Sequence, residues 1–308
     1  MILIADSGST KTDWVLADND GKVLRRTTTA GLNPYHLTDE EITAVLQELP
    51  PHEAHESYEP HESYEPHESY EPHKSYKPHE PYPLFFYGSG CTPEQAPRVK
   101  ELLLRNLTTI SACEVYSDML GAARAVCGRR AGVACILGTG ANSCLYDGER
   151  MVANTPALGY VLGDEGSGAV LGRLFLNALY KGRLPQTLRA TFEQETGLTM
   201  SAVISKVYRE PQPNRFLASL SLFIGRHLDV EPLRQLVVSN FRQFLHNNVL
   251  PYGQPDLPVG FVGSVAFSYS NELREASELE GFTVGQIVKT PMEGLLACHS
   301  ADGTRSSC

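Results

Sequence analysis

The sequence predicts an α/β protein built from two domains of related design, the second richer in helix. Its 308 residues exceed what one hydrophobic core usually holds, which favours two domains. Each half of the chain opens with three short apolar runs, and the first two runs of each set enclose a turn of small polar residues. Only the second half continues with a series of long amphipathic stretches. The repeated opening indicates a duplicated α/β unit.

The elements follow from the apolar patterns in chain order. Short alternating or continuous apolar runs predict strands, and apolar residues three and four positions apart predict helices. In the first half, strands are predicted at 1–6, 13–18, 22–28, 84–88 and 113–117, and helices at 38–48 and 94–106. In the second half, strands are predicted at 132–138, 142–146, 150–154 and 259–262, and helices at 168–181, 186–196, 201–209, 215–228, 231–249 and 268–279.

A hexapeptide repeat interrupts the first half. HESYEP occurs three times and HKSYKP once within 55–78. Proline at every sixth position prevents a continuous helix, and tyrosine is the only apolar residue of the unit, so the repeat cannot bury a core. We interpret 52–83 as an extended, solvated insertion in a first domain of residues 1–116, with weak metal chelation by its histidines as the alternative. The second domain spans 117–308, and its last helix is expected to pack back on the first domain.

Composition disfavours several classes of partner. The formal net charge is −10, of which the insertion carries −6 through eight acidic and two basic residues, so neither nucleic acid nor an anionic membrane is an expected partner. No run of 18 apolar residues occurs, and the chain starts on a strand pattern, which predicts a cytoplasmic protein. The seven cysteines show no C-x-x-C spacing, which favours buried reduced thiols over disulfides or zinc.

Two turns have the composition of a phosphate site. The first, DSGSTKTD, offers a glycine, hydroxyls and a cation at Gly8, Ser9, Thr10 and Lys11. Such a turn suits a phosphate, whereas Asp6 and Asp13 at its edges would repel one unless a divalent cation stood there. The second turn is LGTGANS, residues 137–143. Either turn alone is compatible with an ordinary hairpin, but two at equivalent positions favour the binding of one polyphosphate from two sides.

Together the turns resemble those of the sugar kinases and ATPases related to hexokinase, actin and the heat-shock chaperone ATPases. More narrowly, the chain looks like N-acetylglucosamine kinase and the ATPases that activate benzoyl-CoA reductases, over nearly its whole length outside 52–83. The resemblance implies two ribonuclease-H-like domains with a nucleotide cleft between them, and ATP and Mg²⁺ as cofactors. Asp6 would hold the magnesium shell. The implied phosphate- and nucleotide-binding residues are Gly8, Ser9, Thr10 and Lys11, then Gly138, Thr139 and Gly140, and finally Gly263 and Ser264 of the adenosine motif VGSV.

Three further stretches resemble sugar-binding segments of the same family. AGLNPYH makes Asn33 a candidate donor to a sugar, YGSGC does the same for Ser89, and GDEGSG places Asp164 against sugar hydroxyls. Many relatives carry Gly-Gly-Trp-Gly before the last signature, where this chain has Ala-Leu-Gly-Tyr at 157–160. The alternative interpretation of GDEGSG is a helix N-cap with acidic residues in the first turn.

Asp118, in VYSDMLGAARA, follows the last predicted strand of the first domain, where the family places its catalytic carboxylate. A carboxylate there can accept the proton of a sugar hydroxyl during phosphoryl transfer. The alternative is that Asp118 only caps the following helix, and the two roles are compatible.

The resemblance implies an ATP-dependent kinase that phosphorylates the 6-hydroxyl of an N-acetylhexosamine, N-acetylglucosamine above all. An ATPase that activates a reductase, and a non-catalytic nucleotide or sugar sensor, stay open as alternatives. The sensor differs from the kinase only in turnover. The expected partner is a small sugar, and a homodimer is left open.

Overall fold

The computed structural model describes residues 1–8, 10–49 and 81–300. The chain divides into two units. The first contains the described residues up to Asp118 together with His299 and Ser300, and the second contains Met119–Cys298. The HESYEP repeat lies outside the described residues, so its interpretation as an insertion stays a prediction.

The first unit is a sheet with helices. Its described strands are β1 (Ile2–Ser7), β2 (Lys11–Ala17), β3 (Val23–Ala30), β4 (Tyr82–Gly88) and β5 (Ile110–Ser117), in the order β3-β2-β1-β4-β5. β1 to β3 form antiparallel hairpins, while β1, β4 and β5 run parallel. Helix α1 (Asp39–Gln47) and helix α2 (Ala96–Asn106) connect the strands. Thr38 and Glu41 form a capping box that starts α1, because each side chain accepts a bond from a backbone amide that the helix leaves unpaired.

The apolar residues of the first unit meet around its central strands. Trp14 of β2 and Phe86 of β4 are buried, with their ring centroids 5.9 Å apart. The indole Nε1–H of Trp14 donates to Thr29 Oγ1 at 3.0 Å, so its one polar group is satisfied inside the fold. By contrast β3, at the edge of the sheet, alternates between exposed and partly buried residues.

The second unit repeats the strand order. Its described strands are β6 (Gly132–Leu137), β7 (Ala141–Tyr146), β8 (Met151–Thr155), β9 (Val259–Val262) and β10 (Val284–Val288), in the order β10-β9-β6-β7-β8. β6 to β8 are antiparallel, and β6, β9 and β10 are parallel. The remaining described helices are α3 (Asp118–Cys127), α4 (Gly159–Leu162), α5 (Gly168–Tyr180), α6 (Gln186–Thr196), α7 (Met200–Tyr208), α8 (Pro213–Ser219), α9 (Ser221–Arg226), α10 (Glu231–Phe244), α11 (Ser264–Ser268), α12 (Ser270–Leu279) and α13 (Met292–His299). They belong to the second unit except for the first residue of α3 and the last residue of α13. The prediction of two α/β units with a helix-rich second half is confirmed.

Several element bounds differ from the predicted ones. β4 begins at Tyr82, so the last two residues assigned to the insertion belong to the sheet. Pro83 lies near the start of the strand, before the pairing with β1 begins at Leu84 and at a register shift in the pairing with β5, and proline is tolerated at strand starts and at such irregularities. The predicted helix 215–228 is two helices, α8 and α9, and 231–249 ends in a π-helical turn, Leu245–Val249. β10 was not predicted.

Candidate functional site

In the first unit the carboxyl ends of three parallel strands meet at one edge of the sheet. Ser7 of β1 pairs with Gly88 of β4, and Gly88 pairs with Ser117 of β5. The residues that follow these strands are the first turn, Ser89 and Asp118. Ligands of open α/β sheets bind at this edge, so the fold places predicted site residues from three distant segments where a ligand is expected.

The first turn is a tight hairpin. Gly8 N–H donates to Lys11 O at 2.9 Å, and Ser7 and Thr12 are the last paired residues of the two strands. Lys11 Nζ forms an ion pair with Asp13 Oδ2 at 2.5 Å, so the ammonium group already has an anion beside the turn. Ser9 lies outside the described residues, and its predicted role stays a prediction.

The buried hydroxyl groups of Ser7 and Thr12 stabilise the position of this turn. Thr12 Oγ1 donates its proton to Ala30 O at 3.0 Å, so the 2.7 Å contact between Ser7 and Thr12 must run from Ser7 Oγ–H to Thr12 Oγ1. Ser7 Oγ in turn accepts from Leu32 N–H at 3.0 Å. The chain of bonds fixes the hairpin to the segment that contains Asn33. Sequence reasoning missed Ser7 and Thr12, although both are small hydroxyl residues immediately flanking the turn.

Asp6 lies among other carboxylates. It is partly buried, and burial first, then the charges of Asp118 and Asp13, raise its pKa to about 7, against a smaller lowering by Lys11. A carboxyl group in these surroundings needs a proton or a cation to be stable. No group of three or more metal-ligating side chains occurs within the described ranges. Asp6, with the charges of Asp118 and Asp13 only partly offset by Lys11, fits Mg²⁺, which keeps several waters and takes its other ligands from phosphates.

Asn33 lies against the loop after β4. It is buried, its Oδ1 accepts from Tyr35 N–H at 3.0 Å, and a Cβ on Gly90 would lie 2.5 Å from that oxygen. Tyr35 Oη also contacts Thr92 Oγ1 at 3.2 Å. The backbone of Gly90 therefore packs directly on Asn33, which explains the glycine and leaves Nδ2 as the group of Asn33 that can donate to a ligand.

Ser89 and Asp118 border the same edge. Ser89 N–H donates to Ser7 O at 2.8 Å, which places Ser89 beside the first turn. Asp118 is the first residue of α3 and is partly buried. Its charge raises the pKa of both Asp6 and Cys91, so it lies near both. The position at a helix N-terminus also suits a carboxylate at Asp118.

In the second unit the turn between β6 and β7 is closed by Gly138 N–H, which donates to Gly140 O at 3.0 Å. The start of α5 packs behind it. Gly168 N–H donates to Gly138 O at 2.8 Å, and Ala169 N–H donates to Thr139 O at 3.2 Å. The turn thus supplies carbonyl partners for amides that begin a helix and have no partner inside it.

The GDEGSG signature contacts the same turn. Asp164 has φ of 54°, and its carboxylate accepts from the backbone amides of Ala141 and Gly159. Burial outweighs these bonds and, with a smaller contribution from Glu165, raises the pKa of Asp164. Ser167 caps α5 by accepting from Val170 N–H at 3.2 Å. The helix-cap alternative therefore applies to Ser167, whereas Asp164 holds the second turn.

Gly263, of the VGSV motif, has a structural reason to be glycine. Its φ is 130°, and a Cβ would lie 2.2 Å from Leu137 O. The backbone of β6 thus occupies the space that a side chain would need. The predicted contacts of Gly263 and Ser264 with adenosine stay predictions.

Among the described residues, no cysteine belongs to a group of three or more side chains that could hold a metal ion. Burial raises the pKa of Cys91, Cys113 and Cys144 to about 12 and that of Cys127 to about 11, and it raises the pKa of Cys135 as well. Thiols with such pKa values are protonated near neutral pH and are weak nucleophiles. Across the described residues, no helix has the length and apolar character needed to cross a membrane.

Comparison with solved structures shows a full-length match. The chain is 48% identical to a protein from Porphyromonas gingivalis, with 97% of this chain and 98% of that one covered and a TM-score of 0.86. A protein from Chromobacterium violaceum is 18% identical over 97% and 98% of the two chains, with a TM-score of 0.62. Both are described as "putative N-acetylglucosamine kinase".

A more distantly related structure has a similar fold. A ROK family glucokinase from Streptomyces griseus, in complex with glucose and AMPPNP, is 14% identical over 99% and 100% of the chains, with a TM-score of 0.52. No protein-family model matches the chain, and no curated protein does. The matches confirm the predicted actin/hexokinase-type fold.

Proposed function

Because the chain belongs to the N-acetylglucosamine kinase-like family of the actin–hexokinase superfamily, we propose that it is an ATP-dependent phosphotransferase with an alcohol acceptor. The acceptor is the 6-hydroxyl of an N-acetylhexosamine, N-acetylglucosamine in particular. The 48% identity over nearly the whole of both chains supports the family assignment. Within the first unit, the observation that carries the proposal is the meeting of Asp6, Ser89 and Asp118 at the carboxyl ends of β1, β4 and β5.

Asp118 is the proposed catalytic base. Phosphoryl transfer needs an aligned nucleophile, neutralised phosphates and a group that accepts the hydroxyl proton. Asp118 is partly buried at the start of α3 and close enough to Asp6 for its charge to raise that pKa. Nucleotide phosphates held beside Asp6 and a sugar hydroxyl held beside Asp118 would therefore be neighbours.

The two turns are the proposed phosphate-binding elements. In the first unit these are Gly8, Ser9, Thr10 and Lys11, and in the second Gly138, Thr139 and Gly140, with Gly263 and Ser264 for the adenosine. Mg²⁺, held through water by Asp6, would neutralise charge on the phosphates. Lys11 would leave its ion pair with Asp13 and bind a phosphate oxygen instead. The carboxylate and the phosphate are both anions, and the Lys11 side chain, which is 58% exposed, is accessible to a ligand.

The proposed sugar-binding residues are Asn33, Ser89, Asp118 and Asp164. Asn33 contributes its Nδ2, because its Oδ1 is bonded to Tyr35 N–H. Ser89 contributes a hydroxyl near the first turn. The bonds of Asp164 to two backbone amides leave it lone pairs for a sugar hydroxyl, since a carboxylate accepts about four bonds.

The test is a coupled ADP-release assay with N-acetylglucosamine, N-acetylmannosamine, glucosamine and glucose, followed by NMR of the product. We expect the highest kcat/KM with N-acetylglucosamine and a phosphorus coupling to the protons on carbon 6. Release of ADP at the same rate with and without sugar would contradict the kinase and favour an ATPase. ATP binding without any ADP release would favour the sensor.

A further inference from the structure

Asn240 of α10 is a buried amide that the proposed mechanism does not use. It is fully buried, and Phe241 and Phe244 of the same helix belong to the apolar core of the second unit. Its Oδ1 accepts from Gly166 N–H at 3.0 Å, inside the GDEGSG signature. Its Nδ2 has no hydrogen-bond partner among the described residues. The side chain is therefore bonded on one side only, and that side is a site segment.

Gly166 packs closely against the same helix, α10. It has φ of 79°, and a Cβ would lie 2.9 Å from Phe244 Cβ. The absence of a side chain lets its backbone lie close to α10. The amide of Gly166 thus meets α10 at Asn240 and its α-carbon meets α10 at Phe244, so the helix sets the position of this glycine.

The π-helical turn after α10 extends these contacts. Asn247 Nδ2 donates to Glu165 Oε1 at 2.9 Å. The carbonyl of Asn248 accepts from Ser143 Oγ and from Thr155 Oγ1, each at 3.0 Å, as carbonyls at a helix end can. α10 and its π-helical turn therefore contact both the GDEGSG segment and the β7–β8 hairpin. Such π-helical turns frequently occur at functional sites.

Movement of Gly166 would be transmitted to the second turn. Two residues before it, the carboxylate of Asp164 accepts from Ala141 N–H, and two residues after it, Gly168 N–H donates to Gly138 O. Both partners border the turn that is proposed to bind phosphate. Loss of the bond at Gly166 would loosen the segment at its midpoint, and the two flanking bonds would then hold the turn less firmly.

We propose that Asn240 is a positioning residue, which fixes the 163–168 segment and through it the second turn for phosphoryl transfer. The inference rests on the proposed function. A residue selected for stability alone would be apolar here, because an unpartnered buried Nδ2–H is unfavourable. Leucine has the same branching, and Asn240 borders a half-open pocket of about 300 Å³ that gives the larger side chain room; the pocket is lined by apolar residues such as Leu174 and by polar ones such as Gln235.

The test compares Asn240→Leu and Asn240→Asp with the control Ser277→Ala. Ser277 is also fully buried, but its hydroxyl bonds to Leu273 O of its own helix. In Asn240→Leu, loss of the bond to Gly166 lowers the stability of the fold, whereas removal of the unpaired buried donor raises it. The two effects oppose each other, so we expect a melting temperature within a few degrees of the parent. We expect kcat to fall at least tenfold, Asn240→Asp to recover most of it through its acceptor oxygen, and Ser277→Ala to keep the parental kcat.

Hydrogen exchange supplies a readout that needs no turnover. We expect faster exchange in peptides covering 137–143 and 163–170 for Asn240→Leu, and parental exchange for Ser277→Ala. That pattern supports the positioning role even if the parent phosphorylates no sugar, in which case the proposed function alone fails. Equal exchange in both variants, a parental kcat in Asn240→Leu, or an Asn240→Asp variant no better than Asn240→Leu overturns it.

Discussion

The carboxylate of Asp6 should destabilise the nucleotide-free protein, so Asp6→Asn should raise its stability. The pKa of Asp6 rises from 3.8 to about 7 in the folded chain. At ~1.4 kcal/mol per pKa unit this shift corresponds to a penalty of about 4 kcal/mol above pH 7. Because Asp6 is partly exposed, solvent screening reduces this figure, and we expect a gain of about 2–3 kcal/mol, or roughly 4–8 °C in melting temperature.

The stability difference between Asp6→Asn and the parent should increase with pH. Below pH 4 Asp6 is protonated in both the folded and the unfolded chain, so the substitution changes little. Between pH 4 and pH 7 the unfolded chain releases a proton that the folded chain keeps, and the stability of the parent falls as pH rises. The advantage of Asp6→Asn should therefore grow from pH 5 to pH 8.

The assay is thermal unfolding at pH 5, 6.5 and 8 with EDTA, and Asp20→Asn is the control because Asp20 is exposed in the turn between β2 and β3. A second series adds magnesium and ATP, which should stabilise the parent and the control but not Asp6→Asn. An advantage independent of pH, or a variant less stable than the parent at pH 8, would show that Asp6 is not held in a penalised ionised state.

Three further predictions concern other parts of the chain. Asp118→Asn should keep the nucleotide affinity measured by calorimetry but lower kcat about 10²-fold or more, and unchanged turnover would remove the assigned base. Deletion of 55–78 removes 24 of the 32 residues of the predicted insertion 52–83. It should leave kcat and melting temperature nearly unchanged, because each halving of a loop changes the free energy of loop closure by only about 0.6 kcal/mol, or about 1.2 kcal/mol for this fourfold shortening; a collapse of either quantity would show that the repeat has a structural role. Gly263→Ala should cost about 3 kcal/mol in urea unfolding, since the new Cβ meets Leu137 O, against about 1 kcal/mol for Gly281→Ala, which has positive φ but open space; equal costs would contradict the steric reason.

The sequence alone was sufficient to predict features whose residues lie close together in the chain. The two small-residue turns lie between strands that are adjacent in the chain, so apolar alternation and glycine content identified them without knowledge of the fold. Strand β10 shows the limit of this approach. Its sequence, VGQIV, contains a glycine and is only partly buried or exposed throughout, so its pattern is weak, and it forms a strand because β9 offers it a parallel edge.

The sequence analysis also did not identify residues that contact the site residues without belonging to the predicted site, for a related reason. Ser7 and Thr12 are ordinary hydroxyl residues in the sequence, and their role follows from a bond to Leu32, which lies 25 residues from Ser7. Asn240 is 74 residues from Gly166. A pattern within one segment cannot reveal a partner at such separations, because the pairing exists only after the strands and helices have assembled.

Ser7, Thr12 and Asn240, together with the predicted residue Asp164, lie beside the two turns that are proposed to bind phosphate. A turn that binds phosphate must direct its amide groups outward and keep them fixed before the ligand arrives, because donors that reorganise on binding lose much of their electrostatic benefit. A short loop of glycine and small polar residues has too few contacts of its own to be fixed in this way. In the first unit the Ser7–Thr12 pair supplies such contacts. In the second unit Asp164 accepts from Ala141 N–H beside the turn, and we propose that Asn240 acts on the same turn through its bond to Gly166. In both units, therefore, side chains outside the turn make hydrogen bonds to the turn or to the segment next to it, which a short glycine-containing loop cannot supply by itself.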